Sequence, residues 1–176
     1  MKRPRICASH TSPQGFFDLC CDTLERTDGA QQTYTMLSIP VDATTILARD
    51  PEGRWILNRE YRHPTGKHLL GCPGGRLEKG EDPLVGGQRE LFEETGYFAK
   101  ELILLGSCYP FPGLCNQKIY YLFAPLAEKL GEQALDPFEF IELELKTDAE
   151  LEKAIRESEE VDAQLCAALW YYAGKR

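Results

Sequence analysis

The chain is 176 residues long, enough for one well-packed domain and short for two. Its composition, 43% apolar and 27% charged with a net charge of −8, is that of an ordinary globular protein; it excludes the clustered lysine and arginine of a broad nucleic-acid footprint, and no apolar run reaches the length of a membrane span. The basic opening MKRPRICASH lacks the apolar stretch and cleavage site of a secretory signal, and the seven cysteines are irregularly spaced without a CXXC pair, so they read as reduced thiols of a cytoplasmic protein.

Strand signals open the chain. Residues 16–24 and 32–39 flank Thr27, Asp28, Gly29 and Ala30, where Asp-Gly marks a hairpin, so residues 1–40 are expected to form an N-terminal β extension. A second hairpin joins 44–48 to 54–61 across Asp50, Pro51, Glu52 and Gly53. A helix is predicted over 83–95, with Asp82 as N-cap, Pro83 at the first helical position and Gly96 free to take the left-handed conformation that ends it. Apolar strands follow at 102–107, 118–124 and 138–145. Thr147 with Glu150 makes a capping box for a helix to about residue 157, and Asp162 opens a last helix ending near Gly174. Leu165, Ala168, Leu169 and Tyr172 recur on that helix at core-facing spacing. This order predicts an α/β protein with a mixed central sheet.

The helix over 83–95 carries the chemistry. Glu90 and Glu94 lie one turn apart on one face, and Glu93, three residues from Glu90, joins them. Three carboxylates at this spacing repel and call for a counter-charge. Oxygen-only ligands favour Mg2+ or Mn2+ over zinc, and Mg2+ held by a few carboxylates takes further ligands from water and phosphate. Phosphoryl chemistry on a small phosphorylated ligand is therefore expected, without nucleic acid or membrane as partner.

Residues 75–97 read GRLEKGEDPLVGGQRELFEETGY and fit the pattern GX5EX7REUXEEXGU, with U apolar or aromatic, through Gly75, Glu81, Arg89, Glu90, Leu91, Glu93, Glu94, Gly96 and Tyr97. On these residues the chain resembles the Nudix hydrolases. The resemblance implies a single domain, 1–176, folded as an α/β/α sandwich with a mixed sheet plus the N-terminal β-ribbon. It also implies that Glu90, Glu94 and the Gly74 carbonyl hold the metal, and that Glu93 assists or serves as base. Arg89 then orients the glutamates, while Gly75, Glu81 and Gly96 shape the motif.

Outside this motif the chain resembles the ADP-ribose pyrophosphatase group. Pro112, fifteen residues after Tyr97, matches that group's loop proline, and Arg59-Glu60-Tyr61-Arg62 resembles its upstream strand, which implies that Arg62 contacts the nucleotide. The segment DPFEFIE, residues 136–142, resembles a mobile loop whose glutamate activates water, which makes Glu139 a candidate base beside Glu93. Members are similar in an N-terminal extension exchanged within a homodimer, for which Phe16, Phe17 and Tyr34 offer stacking faces. The chain departs from the group just before the motif, where ELPAG is replaced by Gly71, Cys72, Pro73, Gly74 and Gly75, without the glutamate that would meet the second sugar. The implied reaction splits ADP-ribose into AMP and ribose 5-phosphate. The alternatives are GDP-mannose or another nucleotide sugar, a dinucleoside polyphosphate, or an ADP-ribose sensor that does not hydrolyse it.

Overall fold

A computed structural model describes residues 3–157 and 160–175. The chain divides into two compact units, Met1–Asp42 with Cys108–Lys118, and Ala43–Ser107 with Ile119–Arg176.

In the first unit, β1 (Arg5–Pro13), β2 (Asp18–Glu25) and β3 (Gln31–Ser38) form an antiparallel sheet in that order. The β2–β3 turn lies where Asp-Gly placed it: Gly29 takes φ 83° and the Arg26 N–H donates to the Ala30 carbonyl at 2.9 Å. The sequence reading anticipated two strands here, and β1 makes a third. Its segment RICASHTSP is exposed almost throughout, so burial imposes no alternation that a pattern could reveal. Residues 109–118 lie beside β3, where the Leu37 N–H donates to the Leu114 carbonyl at 2.8 Å and the Tyr34 hydroxyl to the Gly113 carbonyl at 2.6 Å.

The second unit is built on a mixed sheet. Its strands are β4 (Ala43–Arg49), β5 (Trp55–Arg62), β6 (Lys67–Gly71), β8 (Ile103–Cys108), β9 (Ile119–Ala124) and β11 (Ile141–Lys146), in the order β11-β5-β4-β9-β8 with β6 also on β5. β4 runs parallel to β9, and the other registered pairs are antiparallel. Two short strands, β7 (Tyr97–Ala99) and β10 (Ala127–Lys129), pair with each other. The helices are α1 (Pro83–Thr95), α2 (Asp148–Glu157) and α3 (Ala163–Ala173).

Alternation sorts the sheet residues into two faces. Ile46, Ala48, Ile56, Leu122 and Ala124 pack with Leu91 of α1 and with Tyr97, Ala99 and Ala127. The intervening residues face α3: Trp55 and Phe123 meet Tyr172 at ring-centroid distances of 5.4 and 4.7 Å, and the Tyr121 hydroxyl donates to Gln164 Oε1 at 2.6 Å. An α/β/α sandwich results. Each fully buried leucine or isoleucine contributes about 1.5–3 kcal/mol. Close approach of α1 depends on Gly87, where an added Cβ would stand 2.2 Å from Leu122 Cδ1.

One irregularity positions the site. β5 pairs with β4 only at Trp55 and Ile56, then diverges and pairs from Asn58 to Arg62 with β6. The edge of β4 thus released is taken by the segment after β6, whose Pro73 and Gly75 carbonyls accept from the Ile46 and Thr44 N–H groups at 2.9 and 2.8 Å. Residues just before the glutamate-bearing helix are thereby stitched into the sheet.

One expectation is corrected. The strand anticipated at 138–145 begins only at Ile141, because Asp136-Pro137 starts a turn in which the Glu139 N–H donates to the Asp136 carbonyl at 2.9 Å. β6, β7 and β10 were not anticipated, since strands of three to five residues are too short to show a period.

Candidate active site

α1 begins and ends as its sequence dictates. The Asp82 carboxylate accepts from the Leu84 N–H at 2.8 Å, Pro83 occupies the first turn, and Gly96 closes the helix at φ 71°. The buried residues Leu91 and Glu94 fix the helix rotation, and Glu90 therefore faces the same side.

Arg89 is the hub of this face. Its Nε and Nη2 grip Glu81 at 3.1 and 3.0 Å, Nη1 donates to Glu90 Oε1 at 2.9 Å and to Glu93 Oε2 at 3.0 Å, and Nη2 also reaches the Arg76 carbonyl at 3.1 Å. The Glu81 carboxylate also accepts from the Glu78 N–H at 2.8 Å, which ties the loop between β6 and α1 to the helix. The hydrogen bonds from Arg89 hold Glu81 below the usual carboxylate range, and the same pairing raises the Arg89 guanidinium.

Glu94 is 5% exposed, and its Oε2 accepts from Asn58 Nδ2 at 2.7 Å and from the Gly74 N–H at 2.8 Å. Burial pushes it well above the ordinary carboxylate range; the Gly74 N–H opposes the shift, while Glu90, Glu60 and Glu139 add to it. Glu90 is raised as well, first by burial, against the pull of Arg89, with Glu93 and Glu139 contributing repulsion. Its carboxylate lies against Gly75, where an added Cβ would stand 2.6 Å from Glu90 Oε2.

Among the described residues, no three acidic, histidine or cysteine side chains are already gathered around one point as metal ligands. Arg89 draws Glu90 and Glu93, and two amides draw Glu94. The donor set nevertheless fits a hard divalent cation, because Glu90 and Glu94 are both desolvated by burial, the Glu90 charge adds to the rise at Glu94, and the side chains offer oxygen alone.

Residues 40–166 match the family model of the Nudix domain. The chain belongs to the Nudix family. It is 32% identical to the ADP-ribose pyrophosphatase of Bacillus subtilis (strain 168) over 155 residues, 88% of this chain and 83% of that protein. It is also 34% identical to the methanol dehydrogenase activator of Bacillus methanolicus over 152 residues, 85% of this chain and 81% of the relative. The fold matches a solved ADP compounds hydrolase with a TM-score of 0.87 at 22% identity, over 99% of this chain and 95% of the other.

In this Nudix protein the remaining site residues of the sequence reading fall in several places. Arg62 ends β5, with Nη1 2.7 Å from Glu60 Oε1 and Nη2 3.8 Å from Asp162 Oδ2. Glu139 sits in the exposed turn before β11, where its Oε2 accepts from the Asp136 N–H at 2.9 Å, and its charge is felt at Glu60, Glu90 and Glu94. Pro112 belongs to the first unit, where it borders a cavity of about 250 Å³ with Tyr34, Met36 and Tyr109. Phe16 and Phe17 pack edge to face at 5.0 Å.

Three neighbours of the site were not singled out from the sequence. Glu60 adds a carboxylate from β5. Asp162, read only as a helix cap, borders the strand at Gly71, where an added Cβ would meet Asp162 Cβ at 3.5 Å, so a carboxylate stands beside the position that lacks one. Asn58 bonds Glu94 directly, and its one sequence signal is a polar residue directly after the apolar run Trp55-Ile56-Leu57.

Proposed function

We propose that this Nudix enzyme is a divalent-metal pyrophosphohydrolase that splits the diphosphate of a nucleoside diphosphate sugar, ADP-ribose foremost, into AMP and ribose 5-phosphate. The observation that carries this reading is that buried Glu94 and half-buried Glu90 stand one turn apart on α1, both desolvated and with the Glu90 charge felt at Glu94, which calls for a cation beside them. Glu90, Glu94 and the Gly74 carbonyl would hold Mg2+ or Mn2+, which when bound offsets the charge of the diphosphate. Gly75 leaves room for the Glu90 carboxylate, and Arg89 keeps Glu90 and Glu93 extended from α1. Glu139 or Glu93 takes the proton of the water that attacks one phosphorus. The bridging P–O bond then breaks and its electron pair leaves on the departing phosphate. Arg62 contacts the nucleotide, and Pro112 belongs to the loop that favours this substrate group.

Similarity to the Bacillus subtilis ADP-ribose pyrophosphatase over most of both chains supports the choice of substrate. We assign the protein to the cytoplasm, where seven free thiols stay reduced, and to a homodimer exchanging the N-terminal extension. Among the described residues no helix is long and apolar enough to cross a membrane.

The deciding experiment compares hydrolysis rates for ADP-ribose, GDP-mannose, UDP-glucose, NADH and diadenosine polyphosphates with Mg2+ and with Mn2+. ADP-ribose is expected to be the preferred substrate. Tight ADP-ribose binding without turnover in excess Mg2+ would establish a sensor instead.

A further inference from the structure

Asn58 is a buried polar side chain in the middle of a strand. It is 2% exposed, opposite Leu143 of β11 on one side and Gly71 of β6 on the other, at the residue where β5 has left β4. Its side chain shares the face of Ile56, two residues earlier, which is the face covered by α1. Among the described residues its Oδ1 has no hydrogen-bond partner, while Nδ2 donates to Glu94 Oε2 at 2.7 Å. A leucine of similar shape would fill the same space but could not donate to Glu94, so the hydrogen bond is what the amide contributes at this position.

The geometry of Glu94 shows what that bond does. Two donors from different elements, the Asn58 amide of β5 and the Gly74 N–H of the loop, converge on the same oxygen, Oε2, at 2.7 and 2.8 Å. A single donor lets a carboxylate pivot about the bond; two donors from different elements on one oxygen restrict its rotation, and among the described residues Oε1 has no hydrogen-bond donor. The neutral amide also matters, because Glu60, Glu90 and Glu139 already repel Glu94, and a carboxylate at position 58 would add to them.

We propose that Asn58 is a positioning residue for the metal site, fixing Glu94 so that Oε2 belongs to the protein and Oε1 is presented to the cation. This rests on the reading of Glu94 as a metal ligand given above.

The test is Mn2+ binding followed by electron paramagnetic resonance, with thermal unfolding as a check on folding, for the native protein, Asn58→Leu, Asn58→Ser and Glu94→Gln. Asn58→Leu keeps the shape without the donor, and Asn58→Ser replaces it in the measurement if leucine prevents folding. Folded variants at position 58 are expected to bind Mn2+ about tenfold more weakly, and to need about tenfold more Mg2+ for half-maximal activity, the loss typical of a partner that orients a ligand. The KM for ADP-ribose at saturating Mg2+ is expected to stay within about twofold, whereas a merely structural role would lower the unfolding temperature and leave Mn2+ affinity alone. Native Mn2+ affinity in a folded Asn58 variant, with binding lost in Glu94→Gln, overturns the role of Asn58 and keeps the metal site. Native affinity in Glu94→Gln overturns the metal reading and this inference with it.

Discussion

Arg89 and Glu81 form a two-pronged ion pair, Nε to Oε1 at 3.1 Å and Nη2 to Oε2 at 3.0 Å, and this pair joins the loop after β6 to α1. Glu81 is largely buried, so the pair is more than a surface contact. Lysine cannot reproduce a planar fork. Arg89→Ala is expected to destabilise the protein by about 2 kcal/mol in urea unfolding, because the Glu81 carboxylate loses its counter-charge and keeps only the Glu78 N–H. Arg89→Lys should recover only part of the loss. An unchanged midpoint for the alanine variant would mean that the loop is held by other contacts.

Stability should depend on Glu81 in the acid range. Its folded form is held below the usual carboxylate range by Arg89, so the unfolded chain takes up the proton first as pH falls. The stabilisation is therefore complete above the unfolded value of about 4.3 and is lost as pH drops through the lower folded value. Urea unfolding of the native protein and Glu81→Gln between about pH 6 and pH 3 checks this, with the stability gap between them expected to narrow on the acid side.

Gly75→Ala tests the space around Glu90. An added Cβ would lie 2.6–2.7 Å from the carboxylate, and the flexible end of Glu90 would have to move. The expected result is at least about a tenfold fall in kcat with an unfolding temperature near native, since a misplaced catalytic group costs rate more than stability. A variant with native turnover would show that the Glu90 carboxylate need not lie where the glycine admits it.

Glu139→Gln separates the two candidate bases. The side chain lies in an exposed turn, so folding should be unaffected, and kcat should fall by about a hundredfold with KM little changed. An unaltered kcat gives the role to Glu93.

Some of this protein was legible in the sequence because it depends on neighbours a few residues apart. Asp82, Pro83 and Gly96 mark the two ends of α1 through local backbone chemistry, and Glu90, Glu93 and Glu94 share a face because 3.6 residues make a turn. The same holds for the hairpin between β4 and β5 and for the capping box at Thr147 and Glu150, whose side chains bond each other's backbone. β1 shows no period because it is exposed almost throughout, and β6 because it is only five residues long.

What only the tertiary structure decided are meetings between distant segments. Asn58 and Glu94 lie 36 residues apart, and their 2.7 Å contact depends on β5 leaving β4 before α1 crosses the same face. Gly71 and Asp162 become neighbours because β6 bonds the segment just before α3, through the Leu70 carbonyl and the Asp162 N–H at 2.8 Å. Helical period placed the carboxylates of α1 on one face; burial against the sheet raised Glu90 and Glu94, and no spacing in a sequence reports how much water a group has lost.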